Sequence, residues 1–272
     1  MKNIKNLILD MDGVLWRGET AMPGLTGFFD TLRDLDIGFI LATNNATKMA
    51  DEYVGKLAGM GVDVEAGQVL NSAELTAVYL AREYASGTPV YVVGTSSLQA
   101  ALQAKGFTII FADGAKEGKL AELVVVGFNP NVNYQELAMG ALLVHKGARL
   151  IGTNPDTSIP HELGPLPGAG ALLALISTTT GVEATVIGKP GPAIFEEATR
   201  RLNGTKENTA MVGDRLNTDI VGAKNAGIGS ILLLTGISSR NDIQESGIHP
   251  DYVFADLTEL ANVLRETHAA KT

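Results

Sequence analysis

Leu7-Ile8-Leu9-Asp10-Met11-Asp12-Gly13-Val14-Leu15 carries an apolar run straight into two carboxylates and a glycine. The run is strand-sized. Residues two apart on extended chain project to the same side, so Asp10 and Asp12 point together from the end of that strand. In open α/β sheets, ligands bind beyond the carboxyl ends of the strands. Two adjacent carboxylates repel each other unless a cation or a shared proton relieves them, and a hard cation such as Mg²⁺ does so with oxygen ligands. Gly13 lets the chain turn sharply there. An Asx-turn closing the strand is the plainer reading, and this stretch alone does not choose between the two.

The same theme of apolar run, turn and helical pattern recurs along the chain. Further runs lie at 38–42, 90–93, 123–126, 150–151, 184–187, 209–212 and 229–234, with amphipathic stretches at 24–35, 71–84, 134–145 and 192–202. Buried strands alternating with helices imply a parallel sheet covered on both faces. At 272 residues the chain is long for one core, so a large domain with a smaller one is expected. The candidate joins are the turn at 86–89 and the stretch at 178–181.

Three more strand ends carry polar groups. The run at 38–42 ends in Thr43-Asn44-Asn45, whose hydroxyl and amides suit phosphate oxygens, although helix capping is their commoner use. The sequence Val186-Ile187-Gly188-Lys189-Pro190 offers a lysine that could neutralise an anion or simply lie in solvent. The run at 209–212 leads into Gly213-Asp214-Arg215-Leu216-Asn217-Thr218-Asp219. Asp214 stands at the strand end. Asp219 follows in the loop or first helical turn, where a carboxylate also complements a helix dipole.

Each signal has a bland competitor, but their order is specific. Asp-x-Asp-Gly, a strand-ending Thr-Asn-Asn, a Gly-Lys-Pro and a Gly-Asp-Arg-x-x-Thr-Asp together resemble the four-motif signature of the haloacid dehalogenase (HAD) superfamily. The resemblance covers almost the whole chain. Trp16-Arg17-Gly18 with Pro23-Gly24, Gly152-Thr153-Asn154-Pro155-Asp156 and Pro167-Gly168-Ala169-Gly170 are similar to the NagD-like, 4-nitrophenylphosphatase-type branch. It implies a Rossmann-like parallel sheet core with an inserted α/β cap. The stretch between Thr43 and Lys189 is far longer than one βα unit needs, so the cap is expected at 80–180, with the core at 1–79 and 181–272.

The resemblance also implies roles. Asp10 would be the nucleophile and a ligand of Mg²⁺. Asp12 would be the general acid and base, giving its backbone carbonyl to the metal. Thr43, Asn44 and Lys189 would bind the phosphoryl group, Asp214 would be the second carboxylate ligand, and Asp219 would support the site from behind. Asn154, Asp156 and His161 are candidates for contacts from the cap to the substrate, with a plain surface role the commoner one for His161. The implied activity is hydrolysis of small phosphate monoesters through an aspartyl-phosphate. Asn129 and Asn217 stand where relatives often carry acidic residues, and both bear on substrate preference rather than chemistry.

Composition narrows the field further. There is no cysteine, so disulfides, thiolate zinc sites and cysteine nucleophiles are excluded. A net charge of −9 argues against nonspecific nucleic-acid binding. No apolar run is long enough to span a bilayer or form a signal-peptide core, so the expectation is a cytoplasmic protein with no membrane partner. The expected partner is a small phosphorylated metabolite, and association of copies through the cap is a candidate. Gly164–170 lacks the strand–glycine–helix context of a dinucleotide fingerprint. A dehalogenase has no use for Asp12 or Asp214. A phosphomutase or a silent phosphometabolite-binding protein of the same fold is the alternative.

Overall fold

A computed structural model describes residues 1–159 and 163–269. Its contacts divide the chain into two compact units. The first comprises Met1–Thr43, Ala50–Leu70 and Lys189–Thr272, and the second Asn44–Met49 and Asn71–Gly188. The expected borders at 80 and 180 fall within helix Ser72–Glu83 and on the last residue of helix Ala169–Thr180.

The first unit is built on a six-stranded sheet. Its spatial order is Tyr252–Phe254, Gly229–Leu233, Thr209–Gly213, Asn6–Leu9, Gly38–Thr43 and Val69–Asn71. Strand Asn6–Leu9 is central and buried along its whole length, which is why Leu7-Ile8-Leu9 reads as an unbroken apolar run rather than an alternation. It pairs in parallel with Gly38–Thr43 on one side and Thr209–Gly213 on the other, Leu9 lying opposite Leu41 and Val212. The chain leaves this strand in one direction and returns on the other flank, so a topological switch point lies at its carboxyl end.

Helices Leu25–Asp34 and Leu257–Ala269 pack on the sheet with Leu7, Leu9, Phe28, Phe29, Leu32 and Leu260 in the core. Phe29 meets Phe39 edge-on at 5.0 Å. Burying each such side chain is worth about 1.5–3 kcal/mol.

The second unit has its own five-stranded sheet, ordered Thr185–Val186, Arg149–Gly152, Leu123–Val126, Pro89–Val93 and Thr108–Ile110, with parallel pairing throughout. Helices Tyr134–His145 and Ala169–Thr180 cover Val93, Val124 and Val126 through Leu137, Leu173 and Ile176. Asn133 caps the first of them, its side chain accepting from Glu136 N at 3.0 Å. Gly181, at φ 70°, ends the second. Among the described residues, no helix is long and apolar enough to cross a membrane.

Candidate active site

Asp10 follows strand Asn6–Leu9 directly and is still held by the sheet, its N–H donating to Val212 O at 2.9 Å. Its carboxylate is largely buried. Lys189 Nζ stands 2.5 Å from Asp10 Oδ1, 2.8 Å from Asp219 Oδ1 and 3.2 Å from Ala42 O. Lys189 is only 3% exposed, so the solvated-lysine reading fails.

Asp214 extends from strand Thr209–Gly213. Ile237 N donates to its Oδ2 at 2.8 Å, and Ser238 N donates to its backbone carbonyl at 3.0 Å. Gly13 and Gly236 flank it so closely that a Cβ at either position would collide with the carboxylate. Gly13, at φ 87°, also makes the turn that an L side chain resists. Asp219 sits in the π-helical turn Leu216–Ile220, and its Oδ2 accepts from Arg215 N at 3.1 Å.

Asp10, Asp214 and Asp219 each offer an oxygen within 4.8 Å of the others. Burial first, then Asp219 and Asp214, raise the Asp10 carboxyl against the opposing pull of Lys189. Burial and Asp219 push Asp214 up to about 6. Burial works against the Lys189 ammonium, but Asp10 and Asp219 outweigh it and hold its pKa up. One ammonium among three buried carboxylates leaves excess negative charge. The cluster also contains an orphan: Asp214 Oδ1 is buried with no hydrogen-bond partner among the described residues. An all-oxygen donor set with surplus charge and an unsatisfied oxygen fits a hard divalent cation.

Asp12 lies outside this cluster. Its side chain is exposed, and its Oδ1 accepts from Trp16 Nε1 at 2.7 Å. Thr43 is buried at the end of its strand in the first unit. Asn44 belongs to the second unit, where its amide donates to Asp156 Oδ2 at 3.2 Å and its carbonyl accepts from Asn154 Nδ2 at 2.8 Å and from Ser72 Oγ at 2.5 Å. Thus Asn44, Asn154 and Asp156 come together within that unit. His161 lies outside the described residues.

Sequence reasoning missed two features. One is the hold of Trp16 on Asp12, four residues apart, a spacing that could have raised the question. The other is the clamp of Gly236 and Ile237 on Asp214, for which no local signal existed.

A buried carboxylate at a central strand end, a lysine bridging it to a second carboxylate and paired acidic strand ends at a switch point are an arrangement suited to a class of hydrolase. The haloacid dehalogenase-like hydrolase family matches residues 7–108, and the HAD-hydrolase-like family matches residues 186–260. An acid sugar phosphatase of Staphylococcus saprophyticus is 37% identical over 98% of this chain and 100% of its own length. The 4-nitrophenylphosphatase of Thermotoga maritima has a TM-score of 0.90 at 36% identity, over 97% of this chain and 98% of its own. NagD of E. coli K-12 has a TM-score of 0.85 at 35% identity, over 94% and 98%. A glycerol phosphate phosphatase of Mycobacterium tuberculosis, solved with magnesium, has a TM-score of 0.86 at 33% identity, over 96% and 78%. The chain belongs to the haloacid dehalogenase-like hydrolase family. Within it the chain is a HAD-type phosphatase, a phosphoric monoester hydrolase, of the NagD-like, 4-nitrophenylphosphatase-type branch.

Proposed function

We propose that this phosphatase is Mg²⁺-dependent and hydrolyses small phosphate monoesters, sugar phosphates foremost, through a phosphoryl group carried on Asp10. The observation that supports this most is the buried Asp10–Lys189 pair inside the three-carboxylate cluster. Asp10, Asp214 and the Asp12 backbone carbonyl would hold Mg²⁺, with Asp219 behind them steadying Lys189 at 2.8 Å. Bound there, the cation supplies charge neutralisation for the phosphoryl oxygens.

The chain's own groups carry the steps. Lys189, Thr43 and Asn44 bind the phosphoryl oxygens and orient phosphorus toward the Asp10 carboxylate. An Asp10 oxygen bonds to phosphorus as the ester P–O bond breaks, and Asp12 gives its proton to the departing oxygen. Asp12 then takes a proton from water as that water attacks the aspartyl-phosphate. Phosphate leaves and Asp10 is regenerated.

The second unit serves in this reading as the α/β cap that excludes bulk water and selects the leaving group, with Asn154, Asp156 and His161 as contacts. The relative named acid sugar phosphatase supports sugar phosphates as the first substrate class to test. Leu142 and Leu175 stand half-exposed on the two apolar helices of that unit, which supports association of copies through it. A cytoplasmic location completes the reading.

A panel of sugar, nucleotide and 4-nitrophenyl phosphates, assayed for phosphate release with Mg²⁺ and after chelation, tests it. Turnover of sugar phosphates that disappears on chelation and returns with Mg²⁺ is expected. Undiminished turnover after exhaustive chelation would falsify the metal requirement.

A further inference from the structure

Asp12 is exposed, and an exposed aspartate is ordinarily free to change rotamer. Here it is gripped. Trp16 Nε1 donates to its Oδ1 at 2.7 Å. The loop joining them is locked, because Leu15 N and Trp16 N donate to Met11 O at 2.8 and 3.3 Å and Gly13 N donates to Trp16 O at 2.8 Å. The indole itself is fixed. It is 1% exposed, its ring stacks on Tyr53 with centroids 6.3 Å apart, and Lys56 Nζ lies 4.7 Å from its centroid. Lys56 in turn donates to Gly18 O at 2.6 Å and pairs with Glu19 at 3.2 Å. A cation over the ring face polarises the indole and strengthens its N–H as a donor.

Indole N–H is donor-only, so the oxygen it engages must supply a lone pair. We propose that Trp16 is the positioning residue for Asp12: its N–H engages Oδ1 and leaves Oδ2 as the oxygen that exchanges the proton. The inference rests on the acid–base reading of Asp12. In the first half-reaction the Oδ2–H bond breaks and the proton passes to the departing oxygen as that oxygen leaves phosphorus. In the second, a proton from the attacking water returns to Oδ2. The plainer account is that Asp12 merely satisfies a buried indole that needs an acceptor.

Trp16 is the only tryptophan in the chain. Expression in a tryptophan-auxotrophic host fed the benzothiophene analogue therefore replaces this one N–H by sulfur with the ring shape kept. Trp16→Phe is the companion variant, and Asp12→Asn is measured beside both. For an alkyl phosphate, the analogue lowers kcat about tenfold at unchanged KM, a part of the ~10²–10⁴-fold that acid–base help supplies. The single-turnover rate on 4-nitrophenyl phosphate, whose leaving group needs little protonation, stays within about twofold. In the Asp12→Asn background the analogue changes nothing further. Equal losses on both esters, or none, in analogue-substituted protein of unchanged Tm overturn the proposal, and this arm decides if Trp16→Phe does not fold. Full alkyl-ester turnover by Asp12→Asn would sink the acid–base reading and the proposal with it. A slow Asp12→Asn beside a silent analogue sinks the role of Trp16 alone.

Discussion

The two units are built alike, each a parallel sheet with helices on it, yet their strand ends differ. In the first unit the strands ending at Leu9 and Gly213 deliver Asp10 and Asp214. In the second the strands ending at Val93 and Val126 deliver Gly94 and Gly127. A Cβ added at either glycine would press on Leu98, so those ends are filled by close packing of helix Ser96–Ala104. At these strand ends the same architecture thus makes a charged site in one unit and a close-packed seam against Leu98 in the other. Chemistry resides in the residue that follows each strand, and fold alone does not supply it.

The strongest way to break this contrast is at Asp10. Asp10→Asn is expected to lower turnover on the order of 10⁴–10⁶-fold, as loss of a covalent nucleophile does in other hydrolases. Steady-state phosphate release and the absence of phosphoprotein after acid quench check it. Residual activity near wild type would remove Asp10 from its role.

Next comes Asp12→Asn. Alkyl esters should slow by ~10²–10⁴-fold and aryl esters less in the first step. Rapid-quench comparison of the two ester classes reads the difference, and parallel losses would reduce Asp12 to a turn residue.

A pair of glycine substitutions sharpens the comparison itself. Gly236→Ala drives a methyl into the Asp214 carboxylate and should cost turnover about 10–100-fold, as displaced metal-site support does. Gly94→Ala meets Leu98 at 2.7 Å and should cost about 1–3 kcal/mol of stability while kcat per folded molecule holds. Melting curves beside kinetics separate the two, and similar kinetic losses in both would erase the distinction.

The smallest effect is one of pH. Asp214 is raised in the fold from 3.8 to about 6, so the folded state binds more protons than the unfolded one between those values. The contribution of Asp214 to the stability of the metal-free protein is therefore fully present below pH 3.8 and is lost as pH rises through about 6. Adding Mg²⁺ relieves that repulsion only where the carboxylate is ionised. The gain in Tm from Mg²⁺ should be larger at pH 8 than at pH 5, by a few degrees. Calorimetry at both values checks the sign.

Much of this was legible in the sequence, for identifiable reasons. The central strand was legible from Leu7 to its end at Leu9, because a strand buried on both faces shows as a run of apolar residues ended by Asp10. Edge strands do not announce themselves so. Tyr252–Phe254 grades from exposed to buried and was not among the expected runs. The stretch 178–181 looked like a join but is the last turn of helix Ala169–Thr180. There the Thr179 and Thr180 hydroxyls donate to Leu175 O and Ile176 O, which lets β-branched polar residues remain helical. The run at 184–187 shrinks to the two-residue strand Thr185–Val186. At the site, the ordered four-motif resemblance singled out Lys189, but only the tertiary structure shows its burial between Asp10 and Asp219. Nothing local could show that Gly236, distant in sequence, closes on Asp214.

The lone indole has an optical consequence. All tryptophan emission comes from a single ring in the first unit, seated on Tyr53 with its N–H on a carboxylate. Thermal melts followed at that emission report the first unit alone, whereas far-ultraviolet circular dichroism sums the helices of both. Superimposable transitions mean that the units melt together. Separated ones mean that each carries its own cooperative transition, and then no single Tm describes the chain.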